Sequence, residues 1–177
     1  MKTKLLLLPI LILILSCDLQ NRSGDFKPLP HPQEWKITGN SSLKATDLKT
    51  YFNPSGLNLP PGSDFLEEAT ATENQEQAQL VYTIDQTLEI KAEGYLLDIS
   101  NQQIQITAKD KAGLIYGLAT LEQLMEDAEE QNVPLPLCQI KDYPHLSYRA
   151  IHWDVKHHLE TLDYYYRIID KLKKYKI

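Results

Sequence analysis

The stretch Asp110-Lys111-Ala112-Gly113-Leu114-Ile115-Tyr116-Gly117-Leu118, running on to Met125, decides the fold. Asp110 is an N-cap type of residue and opens a helix expected over 111–129. Leu114, Leu118, Leu121 and Met125 recur at i, i+4, i+7 and i+11 and make one apolar face. Gly113 and Gly117 lie four apart on one side of that helix, and each costs about 1 kcal/mol of helix propensity. A spaced pair of this kind points to close approach of the helix to a sheet or a neighbouring domain, in preference to accidental glycines on a solvent face.

Upstream, the period changes from helical to alternating. Ile104 and Ile106 alternate with Gln103, Gln105 and Thr107, the pattern of a half-buried strand. Tyr95–Ser100 and Gln103–Ala108 flank Asn101-Gln102 and read as a hairpin, with Asn tolerating positive φ at the turn. Leu80–Asp85 and Leu88–Lys91 are further strand candidates, and Trp35-Lys36-Ile37 is a possible first strand. Glu67–Gln79 reads as either a helix or a long loop, and Asn53–Asp64, rich in Pro, Gly, Ser and Asn, as loop. Pro28-Leu29-Pro30-His31-Pro32 fixes φ at three positions and leads in as extended chain. Downstream, Asn132–Pro136 ends the helix, Leu137–Ile140 is a final strand and Asp142-Tyr143-Pro144 turns the chain. Residues 28–143 therefore read as one α/β domain of the α+β kind, with a mixed or antiparallel sheet and a packed helix.

The remaining segment, 144–177, has a different pattern. Tyr148–Val155 is a strand candidate and His157–Glu160 a polar connection. Thr161 can cap a helix with Leu162, Tyr165, Ile168, Ile169, Leu172 and Tyr175 on one face. Asp163 with Arg167 and Asp170 with Lys174 are i,i+4 pairs in the favourable order. Lys171, Lys173, Lys174 and Lys176 read as its solvated face. A strand, a short loop and an amphipathic helix open a βα repeat, and parallel strands are normally covered on both faces. The 177 residues are too few for a whole (β/α)8 barrel, which takes roughly 250, so this unit reads as the start of a truncated TIM barrel.

The amino terminus reads as an address. Lys2 and Lys4 precede an apolar run from Leu5 to Leu15 that is too short for a membrane span of about 20 residues. Ile14-Leu15-Ser16-Cys17 resembles a bacterial lipobox, which implies removal of residues 1–16 and lipid attachment to Cys17. Residues 17–27 then form a polar tether, and the expected location is the bacterial cell envelope, anchored to a membrane at its periplasmic or outer side. Lys plus Arg number 18 against 24 Asp plus Glu, a net charge of -6, which disfavours nucleic acid as a partner. Of the two cysteines, Cys138 sits among apolar residues and reads as a small buried hydrophobe. His152, His157 and His158 fall within seven residues, but adjacent histidines do not readily share one ligand face, so no metal and no cofactor is expected.

Glu93-Gly94-Tyr95 through Met125, centred on Ala112-Gly113-Leu114-Ile115-Tyr116-Gly117-Leu118, resembles the amino-terminal domain of bacterial β-hexosaminidases of glycoside hydrolase family 20. Lys141-Asp142-Tyr143-Pro144-His145 and Tyr148-Arg149-Ala150-Ile151-His152-Trp153-Asp154 resemble the start of that family's catalytic barrel. The resemblance spans residues 28 to 177. It implies removal of terminal β-linked N-acetylhexosamine from glycans by substrate-assisted retention, an exception to the two-carboxylate scheme. It also implies that Arg149 binds ring hydroxyls of the terminal sugar, for which a rigid guanidinium fork is suited, the alternative being a salt bridge within the barrel floor. Asp154 aligns with the acidic residue ending the first barrel strand, either contacting the sugar or acting as a structural carboxylate that orients Arg149 or a loop. Ala150 replaces a usual glycine, and the first strand is similar to a divergent, hexosaminidase-D type of branch. The family's adjacent Asp-Glu pair is not matched: Glu67-Glu68, Glu126-Asp127 and Glu129-Glu130 are surface doublets of the small domain. No catalytic residue is therefore expected within the chain, and the chain alone is expected to be inactive. The alternative is a non-catalytic envelope lipoprotein that binds glycan or a partner protein.

Overall fold

The computed structural model describes residues 24–54, 56, 60, 63–157 and 159–177. Cys17, the signal segment and His158 lie outside the described residues. Among the described residues, seven strands and two α-helices follow in chain order. They are β1 (Glu34–Asn40), β2 (Thr50–Phe52), β3 (Thr70–Ala71), β4 (Leu80–Ile84), β5 (Tyr95–Ile99), β6 (Ile104–Ala108), α1 (Lys111–Gln131), β7 (Pro136–Asp142) and α2 (Leu162–Lys174). All strands share one sheet in the order β1-β7-β5-β6-β4-β2-β3. The pairs β1/β7, β7/β5 and β5/β6 are antiparallel, whereas β6/β4, β4/β2 and β2/β3 are parallel. The expected mixed sheet with a packed helix is present.

Alternation sorts the sheet into two faces. Tyr95, Leu97 and Ile99 of β5, Ile104, Ile106 and Ala108 of β6, and Cys138 and Ile140 of β7 are all buried. They meet Leu114, Leu118, Leu121, Leu124 and Met125 of α1, so the core lies between helix and sheet. Residues in register on the opposite face, Lys36, Gln139, Asp98 and Gln105, are polar, and Lys36, Gln139 and Gln105 are exposed. The glycine pair permits the close approach expected of it. A Cβ on Gly113 would lie 2.4 Å from the Gly94 carbonyl oxygen, and one on Gly117 would lie 2.9 Å from Ile106 Cγ2.

Asp110 caps α1 as its position predicts. Its Oδ1 accepts from the Gly113 N–H at 2.9 Å and its Oδ2 from the Glu93 N–H at 2.8 Å. One carboxylate thus satisfies an orphan helix donor and pins the turn before β5. Asp110→Ala should lower stability by about 1–2 kcal/mol, read as a lower urea midpoint at unchanged slope. The helix ends at Asn132, which adopts the left-handed conformation at φ 52°.

The segment before β1 packs along α1. Gln131 Nε2 donates to Asp25 O, Asp127 accepts from Lys27 N, and Gln123 bonds both backbone groups of Leu29. Gln123, Asp127 and Gln131 stand four apart, one helical turn each. Phe26 is buried under this strap. The last residues of the stretch read as a free tether are therefore docked.

Several local expectations are corrected. Leu88–Lys91 is not a strand: Asp85 Oδ1 accepts from Thr87 N and Oγ1, Leu88 N donates to Asp85 O, and Ile90 N to Leu88 O. These local turns consume donors that a ladder would need. The hairpin joining β5 and β6 forms, but Asn101 does not take positive φ; Ser100 Oγ accepts from Gln102 N and Gln103 N instead. Glu67–Gln79 resolves into β3 and a short 3-10 turn over Gln75–Gln77. Tyr148–Val155 has no regular structure. A parallel strand takes hydrogen bonds from neighbours along its edges, and no described strand lies beside it.

The capped α2 is present, with Thr161 Oγ1 accepting from Tyr164 N at 3.3 Å. Its ion pairs differ from the expected ones. Lys174 pairs with Glu126 and Lys173 with Glu122 at 3.8 Å, so α2 turns these two lysines toward α1. Lys176 is buried, which overturns its reading as part of a solvated face. Leu162, Ile169 and Tyr175 remain exposed on the apolar face.

Candidate functional site

Arg149 sits where domain and carboxy-terminal segment meet. Its Nη2 donates to Glu93 Oε2 at 2.5 Å and to Tyr116 Oη at 3.1 Å. Nε donates to Lys176 O at 2.7 Å and Nη1 to Leu146 O at 2.6 Å. The guanidinium carbon also lies 5.4 Å from the Tyr116 ring centroid. Burial works against the Arg149 charge, but hydrogen bonds and attraction from Glu93 and Tyr116 outweigh it and raise the pKa. The group is a held cation, one-fifth exposed, beside a carboxylate that is less than one-third exposed.

Each partner is placed by local structure. Glu93 adopts φ 63°, an unusual value for a side chain larger than Asn, and its N–H is fixed on Asp110. Tyr116 lies one turn along α1 from Gly113, the point where α1 touches the Gly94 backbone. Lys176 is drawn in by a second, buried network. Its Nζ lies 2.7 Å from Asp142 Oδ2 and 3.0 Å from Tyr95 Oη. Tyr95 Oη also bonds Asp142 Oδ2 at 3.0 Å and Thr120 Oγ1 at 2.6 Å. Burial lowers the Lys176 pKa and Asp142 pulls it partly back, while burial, reinforced by Asp142, raises that of Tyr95.

The other sequence candidates are not gathered here. Asp154 Oδ1 accepts from Lys156 N, a local turn contact on an exposed loop, and no contact joins it to Arg149. His152 and His157 are exposed. Trp153 stacks edge-on with Tyr165 at 5.3 Å, folding the loop back onto α2. Glu67, Glu68, Glu126, Glu129 and Glu130 are all exposed. Among the described residues, no group of three His, Cys, Asp or Glu side chains could hold a metal ion. A groove of about 790 Å³ lies at the far end of α1, between Asn40, Lys44, Asn101 and Asn132. Neither Arg149 nor Asp154 lines it.

Cys138 is buried against α1, as its apolar setting predicts, and burial pushes its thiol up to about 12. Thiolate is the reactive form. In a Cys17→Ser chain at pH 8, Ellman's reagent should therefore find no reactive thiol until denaturant is added. Rapid labelling of the native chain would contradict this.

Sequence reasoning singled out Arg149 but missed its holders. Glu93 and Tyr116 were visible only as parts of the stretch that carries the family resemblance. Lys176 was assigned by its neighbours in a lysine cluster, although Tyr175 and Ile177 on either side of it are apolar.

The family described as glycosyl hydrolase family 20, domain 2, matches residues 29–143. A β-hexosaminidase of Vibrio vulnificus is 25% identical over 153 residues, which cover 78% of this chain and 18% of that protein. A β-N-acetylhexosaminidase of Cellulomonas fimi is 31% identical over 85 residues, 48% of this chain and 17% of that one. The crystal structure of β-N-acetylhexosaminidase from Bacteroides fragilis shares the fold with a TM-score of 0.69 at 21% identity, over 84% of this chain and 31% of that chain. The chain thus spans less than a fifth of the length of these curated relatives. Because the family match takes in well over half of the residues, the chain belongs to glycosyl hydrolase family 20 and carries its domain 2 at 29–143.

Proposed function

We propose that the chain is the amino-terminal part of a β-N-acetylhexosaminidase, a glycosidase that removes terminal β-linked N-acetylhexosamine from glycans. The observation that carries this reading is the match of residues 29–143 to domain 2 of the family, alongside relatives named as β-hexosaminidases. In the proposed reaction the acetamido oxygen of the sugar attacks its own anomeric carbon. An acidic pair outside this chain orients that group and protonates the leaving oxygen. The chain contributes recognition: Arg149 donates to a ring hydroxyl, and Asp154 stands on the same segment. Residues 144–177 act as the first unit of a (β/α)8 barrel, with Tyr148–Val155 taking strand form once neighbouring strands offer their edges. Cys17 carries a lipid that anchors the protein in the bacterial cell envelope.

The purified 177-residue chain should release no nitrophenol from para-nitrophenyl N-acetyl-β-glucosaminide. A product extended beyond residue 177 and carrying the acidic pair should release it. An extended product inert to both the glucosaminide and the galactosaminide would falsify the reading. Incorporation of labelled palmitate tests the anchor: the wild type should take it up and Cys17→Ser should not.

A further inference from the structure

We propose that Glu93 and Tyr116 are positioning residues for Arg149, through which domain 2 sets how the guanidinium meets a sugar hydroxyl. The proposal rests on the sugar-contact reading of Arg149 given above.

The argument starts from the donor count. A guanidinium has five N–H donors and no acceptor. Glu93, Tyr116, Lys176 O and Leu146 O occupy four of them. One Nη1 donor is left for a ligand. Two of the holders, Glu93 and Tyr116, belong to domain 2, and a charge-assisted bond to a carboxylate is the strongest of the four contacts.

The two domain 2 holders do not move independently. Asp110 caps α1 with one carboxylate oxygen and holds the Glu93 N–H with the other. Gly94 O accepts from Lys109 N and lies too close to where a Gly113 Cβ would stand to admit one. Tyr116 follows Gly113 by one turn of α1. The stretches Glu93-Gly94 and Gly113 to Gly117 are thus one rigid corner, and Arg149 is docked in it. Glu93 keeps its left-handed backbone there, a strained conformation that persists only where its surroundings enforce it.

The test uses the whole 177-residue chain labelled with nitrogen-15, with the Arg149 Nη–H resonances assigned by their loss in Arg149→Lys. N-acetylglucosamine is the probe. In the wild type the Nη2 protons held by Glu93 and Tyr116 should exchange slowly with water, and the sugar should shift the Nη1 resonance. Glu93→Gln should speed exchange and weaken sugar binding by about tenfold each, the scale of one lost charge-assisted bond. Tyr116→Phe, which removes only the hydroxyl, should do the same to a smaller degree and keeps the test valid if Glu93→Gln folds poorly. Glu122→Gln, which removes the contact between Glu122 and Lys173 of α2 instead, should leave both readouts unchanged. If Glu93→Gln and Tyr116→Phe match the wild type in exchange and in sugar affinity, the positioning role is overturned while the sugar reading stands. If the sugar shifts no Arg149 resonance even in the wild type, the sugar reading fails and takes the functional half of the proposal with it.

Discussion

Gly113→Ala should unfold the domain, although it would improve the intrinsic helix propensity of α1 by about 1 kcal/mol. The new Cβ would stand 2.4 Å from Gly94 O and 3.1 Å from the Glu93 and Gly94 carbonyl carbons. These are backbone atoms, and Gly94 O already accepts from Lys109 N at 2.9 Å. Neither side can yield by a rotamer change. Either α1 lifts off the sheet, loosening Leu114 and Leu118, or the turn before β5 shifts and Glu93 loses Asp110. Overpacking of this kind costs about 3 kcal/mol or more when backbone opposes it, a large share of a small domain's total stability. Gly117→Ala is the informative contrast. Its Cβ would meet Ile106 Cγ2 and the Tyr95 ring, at 2.9 Å and 3.1 Å. Side chains can move a few tenths of an ångström, so the cost should be about 1–2 kcal/mol. Urea titration of both variants checks the order, and a Gly113→Ala chain as stable as the wild type would refute the packing account.

Asp142→Ala should be nearly as severe, by a different route. The carboxylate accepts from Tyr143 N at 2.9 Å, Gln33 N at 3.2 Å, Tyr95 Oη at 3.0 Å and Lys176 Nζ at 2.7 Å. Both members of the ion pair are less than one-tenth exposed. Removing Asp142 leaves a buried ammonium without a counter-charge, a loss of about 3–5 kcal/mol. Lys176→Met should cost less, about 1–2 kcal/mol: the Asp142 carboxylate loses its counter-charge, but Tyr143 N, Gln33 N and Tyr95 Oη still donate to it, whereas a stranded ammonium has no such set of partners. The asymmetry is the decisive observation. Comparable losses in the two variants would mean that the pair acts as mutual attraction and not as relief of a buried charge.

The fold was legible where periodicity is strong. The i, i+4, i+7 face of α1, its Asp110 cap and the alternation of Ile104 and Ile106 located the helix and the β5–β6 hairpin closely. Leu88–Lys91 misled because Asp85 and Thr87 offer the backbone local partners, an option that apolar pattern does not reveal. Tyr148–Val155 has the composition of a strand, yet a strand is defined by its neighbours, and composition cannot supply them. The site was half legible. Arg149 could be named from family resemblance, whereas Glu93 lies 56 residues away and reaches it only through the tertiary fold. Lys176 was misassigned because a lysine in a basic cluster is normally solvated; its burial follows from Asp142 and Tyr95 on two separate strands.

The place of β1 in the sheet bears on how the protein is made. Its partner is β7, the last strand, and Thr38 Oγ1 reaches Leu137 O across 99 residues of chain. Whether the chain emerges from the ribosome or, as the proposed envelope location requires, from an export channel, β1 comes out first and waits with its edge unpaired while about a hundred residues follow. The β5–β6 hairpin can fold as soon as it emerges, but the sheet closes only when β7 arrives. Domain 2 is therefore completed from its far end backward, and its oldest strand is the last to be paired.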